Sequence, residues 1–234
     1  MRELRGEDLP TGEAKAAAVR SMFDSIAPRY DLVNRVMTFR MDVAWRRRTV
    51  ASLRLPPPSS VLDVACGTGD LCRELTAAGH RPTGLDFSAG MLAAARTEAP
   101  LVQGDALALP FRDGALDGIT CGFALRNVVS LQVLFSEFAR VLRRGGRIAI
   151  LEVARPRAWL PRKVHSIYFN RVVPMIGGLL SDRRAYAYLP RSAAYLPDAH
   201  TLASLLAAAG LGDHAARPLG LGAAQIISAT KVSP

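Results

Sequence analysis

Cysteine is scarce in this sequence: Cys66, Cys72 and Cys121 are the only three among 234 residues. They show neither paired metal-ligand spacing nor the density of a disulfide framework, so the thiols are expected to be reduced, in a cytosolic chain without structural zinc. Lysine is equally rare, at Lys15, Lys163 and Lys231, and the net charge of +10 is therefore almost wholly arginine. Long hydrophobic runs are missing as well. The apolar stretch from Val172 to Leu180 is about half of what a bilayer requires, and Pro174 and Gly177-Gly178 interrupt it, so no transmembrane helix is expected. Met1 to Ala18 carries Arg2, Glu3, Arg5, Glu7 and Asp8 around no apolar segment. That pattern excludes a signal peptide or anchor and reads as a frayed tail.

What is present is a chain with 50% hydrophobic residues, enough to bury one sizeable core. Helices are expected at Ala14–Asp24 and at Asp42–Leu53, the second capped by Asp42 and stopped by Pro56-Pro57-Pro58. These prolines divide an N-terminal helical extension and cap, residues 1–55, from a main domain, residues 56–234. There the pattern alternates: strands at Ser60–Ala65, Pro82–Asp86, Leu101–Gln103, Gly118–Cys121 and Arg147–Val153, helices at Gly69–Ala78, from the cap Ser88 to Arg96, and at Ser130–Leu142. Asp198 caps a further helix to Ala209, and strands follow at Asp213–Pro218 and Gln225–Lys231. This order predicts an α/β fold, a doubly wound, mostly parallel, seven-stranded Rossmann-like sheet. Between about 156 and 197 the rhythm fails, and so long an insertion suits a helical substrate lid.

The strand Val61-Leu62-Asp63-Val64-Ala65 runs into Cys66-Gly67-Thr68-Gly69-Asp70, a glycine turn that lets backbone approach a ligand. The third glycine of the dinucleotide fingerprint is replaced by Cys72, which counts against nicotinamide or flavin. The next strand ends on Asp86, placed to take both hydroxyls of a ribose and unfavourable to a 2′-phosphate. The third leads to Gly104-Asp105-Ala106, where a carboxylate can accept from an adenine amine, or simply cap its own loop. Three such features at successive strand C-termini point to adenosine binding.

On these residues the chain resembles the class I S-adenosylmethionine methyltransferases. Further stretches are similar to the menaquinone/ubiquinone C-methyltransferases: Tyr30-Asp31-Leu32-Val33-Asn34 with Trp45, Leu107 to Phe111, Phe123 to Val128, Arg140 to Ile148 running to Glu152, and Tyr186 to Leu189. The resemblance spans roughly Val19 to Lys231. It implies S-adenosyl-L-methionine as cofactor, S-adenosyl-L-homocysteine as product, no metal, and methylation of a quinol ring carbon, most directly demethylmenaquinol to menaquinol. The implied cofactor residues are Asp63, Gly67, Thr68, Gly69, Asp86, Phe87, Asp105, Ala106, Cys121, Gly122 and Tyr30. Departures from the family pattern fall at Asp42, at Gly122 near the implied cofactor, over Pro218 to Gly222 and at Ile227, and the last two bear on the acceptor rather than on the cofactor.

A ring carbon becomes a good nucleophile when a quinol hydroxyl loses its proton, so a group must stabilise the phenolate. Arg126 is the candidate, with Asn127 orienting the same oxygen, although a loop-pinning salt bridge is the alternative for Arg126 and a turn hydrogen bond for Asn127. Asp31 is expected to cap its helix while Tyr30 closes over the site. In the insertion, His165, Tyr168, Tyr186 and Tyr188 are candidates for the substrate pocket. Trp159, Ile167, Phe169 and Met175 beside Arg155, Arg157, Arg162, Lys163 and Arg171 suit peripheral contact with an anionic membrane, and a homodimer stays open. A cytoplasmic protein, peripheral at the inner face of the membrane, is the corresponding location. Two other readings remain: methylation of another aromatic or natural-product acceptor, and binding of S-adenosylmethionine without methyl transfer. A nucleic-acid methyltransferase is disfavoured despite the sequence pI near 10.4, because no Asn/Asp-Pro-Pro-aromatic sequence follows the fourth strand and no stretch interleaves aromatic with basic residues in the manner of a stacking platform on a sheet face.

Overall fold

The computed structural model describes residues 11–154, 168, 175 and 192–232. Three helices precede the sheet: α1 (Gly12–Ile26), α2 (Tyr30–Met37) and α3 (Met41–Leu53). The alternating part then runs β1 (Ser60–Val64), α4 (Asp70–Ala77), β2 (Arg81–Asp86), α5 (Ala89–Ala93), β3 (Leu101–Gln103), β4 (Leu116–Gly122), α6 (Leu131–Val141) and β5 (Leu142–Val153). It ends with α7 (Ala199–Ala208), β6 (Leu211–Leu219) and β7 (Ala224–Lys231).

The seven strands lie in the order β3-β2-β1-β4-β5-β7-β6. Pairing is parallel from β3 through β5, whereas β7 runs antiparallel to both β5 and β6. The winding therefore reverses between β1 and β4, and in open α/β sheets the crevice outside the strand C-termini at that reversal is where ligands sit. Both faces are covered. On one, Leu134, Phe135 and Phe138 of α6 pack with Ile119, Ile148 and Ile150, and with Leu202 and Leu206 of α7. On the other, Val50 and Leu53 of α3 and Leu71 and Leu75 of α4 close over Val61 and Ala149.

Local chemistry explains the element ends. Ser88, Ser130 and Asp198 each accept a backbone N–H from three residues on, at Met91, Val133 and Thr201. Asp42 is not the cap of α3. It stands inside the helix with its carboxylate buried, taking the Thr38 hydroxyl at 2.7 Å and an ion pair with Arg46, while Arg40 in left-handed backbone occupies the cap position. An arginine four residues on captured that carboxylate more strongly than the first-turn N–H groups could. Asp31 likewise does not cap α2: it lies within it and receives the Thr68 hydroxyl at 2.5 Å. The chain is helical from Gly12, so residues 12–18 do not belong to the frayed tail expected there, and residues 1–10 lie outside the described residues.

Phe138 is fully buried between α6 and the sheet. Phe138→Ala should lower the unfolding free energy by about 3–5 kcal/mol, measured by urea denaturation, and a loss under about 1 kcal/mol would show that this packing is not central.

Candidate active site

At the C-terminal edge of β1 the backbone turns on Gly67 (φ +55°) and Gly69 (φ +82°) before entering α4. A Cβ on Gly69 would lie 2.6 Å from the Thr97 side chain, so only glycine fits there. Gly67 is different. A Cβ there would meet nothing within 4 Å, because this stretch of backbone faces open space.

Asp86, at the end of β2, holds the turn. Its Oδ2 accepts the Gly67 N–H at 2.7 Å and its Oδ1 accepts the Ser88 N–H at 2.8 Å. Burial pushes its carboxyl above the usual range, and these N–H groups oppose that shift. Each oxygen keeps a further lone pair for a ligand hydroxyl. Asp63 sits deeper, accepting the Thr120 hydroxyl at 2.8 Å and the Cys72 thiol at 3.6 Å. Burial raises its carboxyl to about 7, against the pull of those two hydrogen bonds.

Beyond this edge opens a cavity of about 310 Å³. Of the residues expected to hold cofactor, Gly67, Asp86, Phe87, Asp105, Ala106, Gly122 and Tyr30 line it, and so does Asn127. Asp105 also accepts the Leu107 N–H at 2.9 Å, so the loop-capping and cavity-lining roles coexist in one carboxylate. Asp63, Thr68, Gly69 and Cys121 stand outside the lining. Thr68 ties the turn to α2 through Asp31, Gly69 shapes the turn, and burial raises the Cys121 thiol well above its ordinary value.

The cavity's roof is barely legible in the sequence. Ala16, Val19, Arg20 and Phe23 of α1 line it, with the Arg20 guanidinium 4.8 Å from the Phe87 ring centroid and Phe23 edge-on to Tyr30 at 6.0 Å. Two clamps hold this helix in place. At one end the buried Lys15 donates to the Val128 carbonyl at 2.8 Å, over the Tyr195 ring, and burial lowers its pKa to about 8. At the other, Asp24 accepts from the Ser88 hydroxyl at 2.5 Å and the Gly90 N–H at 3.0 Å. The only hint in the sequence was one helical period with a single lysine in it.

Arg126 is 5% exposed and does not line the cavity, although its neighbours Ala124, Asn127 and Val128 do. Its guanidinium forms an ion pair with Glu152 at the end of β5, and its Nε donates to the Ser192 hydroxyl at 3.2 Å. Glu152 is fully buried; its Oε1 also takes the Val153 N–H at 2.8 Å, while Oε2 has no hydrogen-bond partner. Asn127 donates to the Phe123 carbonyl at 3.5 Å. Tyr168 donates to the Met37 carbonyl at 2.5 Å and packs beside α2. His165, Tyr186 and Tyr188 lie outside the described residues.

Two outcomes test this arrangement. Asp86→Ala should weaken binding of S-adenosylhomocysteine by about 1–3 kcal/mol in a calorimetric titration, and unchanged affinity would remove Asp86 from the site. Asp63 holds its proton in the folded state up to about 7, whereas the unfolded chain loses it near 3.8. Its contribution to stability is thus present below the lower value and lost as pH rises through the higher one. The unfolding free-energy difference between the native protein and Asp63→Asn should accordingly change with pH across that window; a constant difference would contradict the assignment.

The model of the ubiE/COQ5 methyltransferase family matches residues 11–231. A demethylmenaquinone methyltransferase of Roseiflexus sp. (strain RS-1) is 44% identical, covering 95% of this chain and 97% of that protein. The ubiquinone/menaquinone biosynthesis C-methyltransferase UbiE of Geobacter sulfurreducens is 40% identical, covering 93% and 90%. Among solved structures, a SAM-dependent methyltransferase of Thermotoga maritima superposes with TM-score 0.64 at 17% identity, covering 91% of this chain and 99% of that one. That likeness supports the class I methyltransferase fold. On the family match and the two full-length relatives, the chain belongs to the ubiE/COQ5 methyltransferase family.

Proposed function

We propose that this protein binds S-adenosylmethionine in the cavity below α1 and methylates a ring carbon of a quinol, converting demethylmenaquinol to menaquinol. The observation that carries the reading is the meeting of Gly67, Asp86, Asp105, Gly122 and Asn127 around one cavity in a chain of this family. The residues fit an adenosyl group: the open backbone at Gly67 and the carboxylate of Asp86 suit a ribose, and Phe87 offers an apolar face beside it.

When bound, S-adenosylmethionine supplies an electrophilic methyl group on a sulfonium. The protein's own part is alignment and exclusion of water. Val19, Phe23, Met91 and Val128 surround the cavity with apolar side chains, and the two clamps hold α1 over it. The ring carbon needs a phenolate to activate it. Arg126 stands behind the cavity wall, its guanidinium fixed by Glu152 and Ser192, so in this reading it stabilises the phenolate through water rather than by direct contact, with N–H donors beyond those these partners occupy. Asn127, on the cavity wall one residue on, orients the same oxygen.

Of the departures from the family pattern, Gly122 lines the cavity, whereas the others lie away from it and do not argue for a different acceptor. Gly220 is pressed against Trp45, Ile227 is buried in the core, and neither belongs to the cavity wall. Asp42 is occupied by Arg46.

Arg126→Ala should reduce turnover of a short-chain demethylmenaquinol by about 10²–10³-fold while leaving the dissociation constant of S-adenosylhomocysteine unchanged. Equal loss of both would reduce Arg126 to a structural ion pair.

A further inference from the structure

Helix α2 carries one broad apolar arc that the core covers only in part, with Asp31, Asn34 and Arg35 on the opposite side. Val33 and Met37 are buried with Met22, Ile26 and Met91, yet Leu32 and Val36, one turn apart on the flank of that arc, are 56% and 41% exposed. An open flank of a surface helix ordinarily carries polar residues. The chain then turns into α3 through two successive non-glycine residues in left-handed backbone, Phe39 (φ +51°) and Arg40 (φ +61°). Left-handed backbone is costly for a bulky residue such as phenylalanine. The turn exposes Phe39 to 71% and Met41 to 43%. It is also tied from behind, because Tyr168 donates to the Met37 carbonyl at 2.5 Å and its ring lies 5.9 Å from that of Phe39.

Charge narrows the choice of occupant. Arg29 and Arg40 are exposed beside these apolar groups, whereas Arg35 is turned toward Asp70, 3.8 Å away, with its side chain 38% exposed. The acids of the same stretch point elsewhere, Asp31 to the Thr68 hydroxyl and Asp42 into its ion pair with Arg46. Large apolar side chains interleaved with arginines match an anionic bilayer surface, where the former enter the acyl boundary and the latter meet headgroups. A symmetric second copy would set the same arginines against each other.

We propose that the exposed apolar flank of α2 together with the Phe39–Met41 turn seats the protein on an anionic lipid surface. Tyr30 opens this helix and lines the cavity, so the face that meets lipid and the site share one element. Its purpose rests on the quinol reading above, since a lipid-soluble acceptor would arrive from that surface.

The test is cosedimentation at low salt with vesicles of phosphatidylcholine alone and of phosphatidylcholine and phosphatidylglycerol in equal parts. The native protein should associate with the mixed vesicles and release them as salt rises. Leu32→Ser with Phe39→Ser should lower that association by about tenfold or more, with turnover of a water-soluble short-chain acceptor within about twofold of native. Arg40→Gln, which removes no apolar group, should weaken association by about fivefold. Native protein that ignores the mixed vesicles, or association unaltered in both variants, overturns the proposal. A dimer in sedimentation that Leu32→Ser with Phe39→Ser dissociates, without vesicle association, also overturns it and assigns the face to a second copy. Turnover of the soluble acceptor tests the quinol reading independently of all these outcomes.

Discussion

The position of the cavity depends on how one carboxylate is held. Asp86 spans the ends of β1 and β2 by accepting N–H groups from Gly67 and Ser88, and so fixes the glycine turn, the start of α5 and the distance between them. A buried carboxylate is costly unless hydrogen-bonded, and two backbone donors supply that compensation without consuming all its lone pairs. Ser88 extends the arrangement, because the same residue that caps α5 donates its hydroxyl to Asp24 of α1. The floor and the roof of the site thus share one short chain of hydrogen bonds.

Around that chain the fold supplies rigidity by burying charge in pairs. Arg46 of α3 reaches Asp42 on its own helix and Asp70 at the start of α4, 2.9 Å away, linking the N-terminal helices to the helix that follows the glycine turn. Arg126 and Glu152 form a second buried pair joining the ends of β4 and β5. Removing one member of such a pair leaves the other charged and desolvated, which ties the loop after β4 firmly to the sheet. Lys15 then bonds that loop to the roof through the Val128 carbonyl, so the roof of the cavity and the loop carrying Arg126 and Asn127 are tied together by this hydrogen bond.

The sheet was legible because alternating apolar strands and helices with proper caps leave little choice: Leu101–Gln103 has the expected bounds, and Ser88 and Asp198 cap where expected. β5 begins at Leu142 rather than Arg147, since Gly145 and Gly146 let the strand continue through what reads as a turn. Asp31 and Asp42 misled because a carboxylate at a helix start looks like a cap whether or not a hydroxyl or arginine, remote or four residues on, claims it. Gly67, Asp86 and Asp105 could be placed from their strand-end positions alone. The roof could not, since Lys15, Asp24 and Phe23 acquire roles only from partners 113, 64 and 7 residues away. Burial of Arg126 by Glu152 was equally invisible, the two being joined only by the pairing of β4 with β5.

In the proposed function this site directs a methyl group to carbon of a quinol ring. Transfer from methyl-labelled S-adenosylmethionine to a reduced short-chain demethylmenaquinol tests it, with the position of the label in the product determined by mass spectrometry and NMR. One label on the ring carbon and none on oxygen is expected. Saturable cofactor binding with an unmethylated or O-methylated quinol would contradict it.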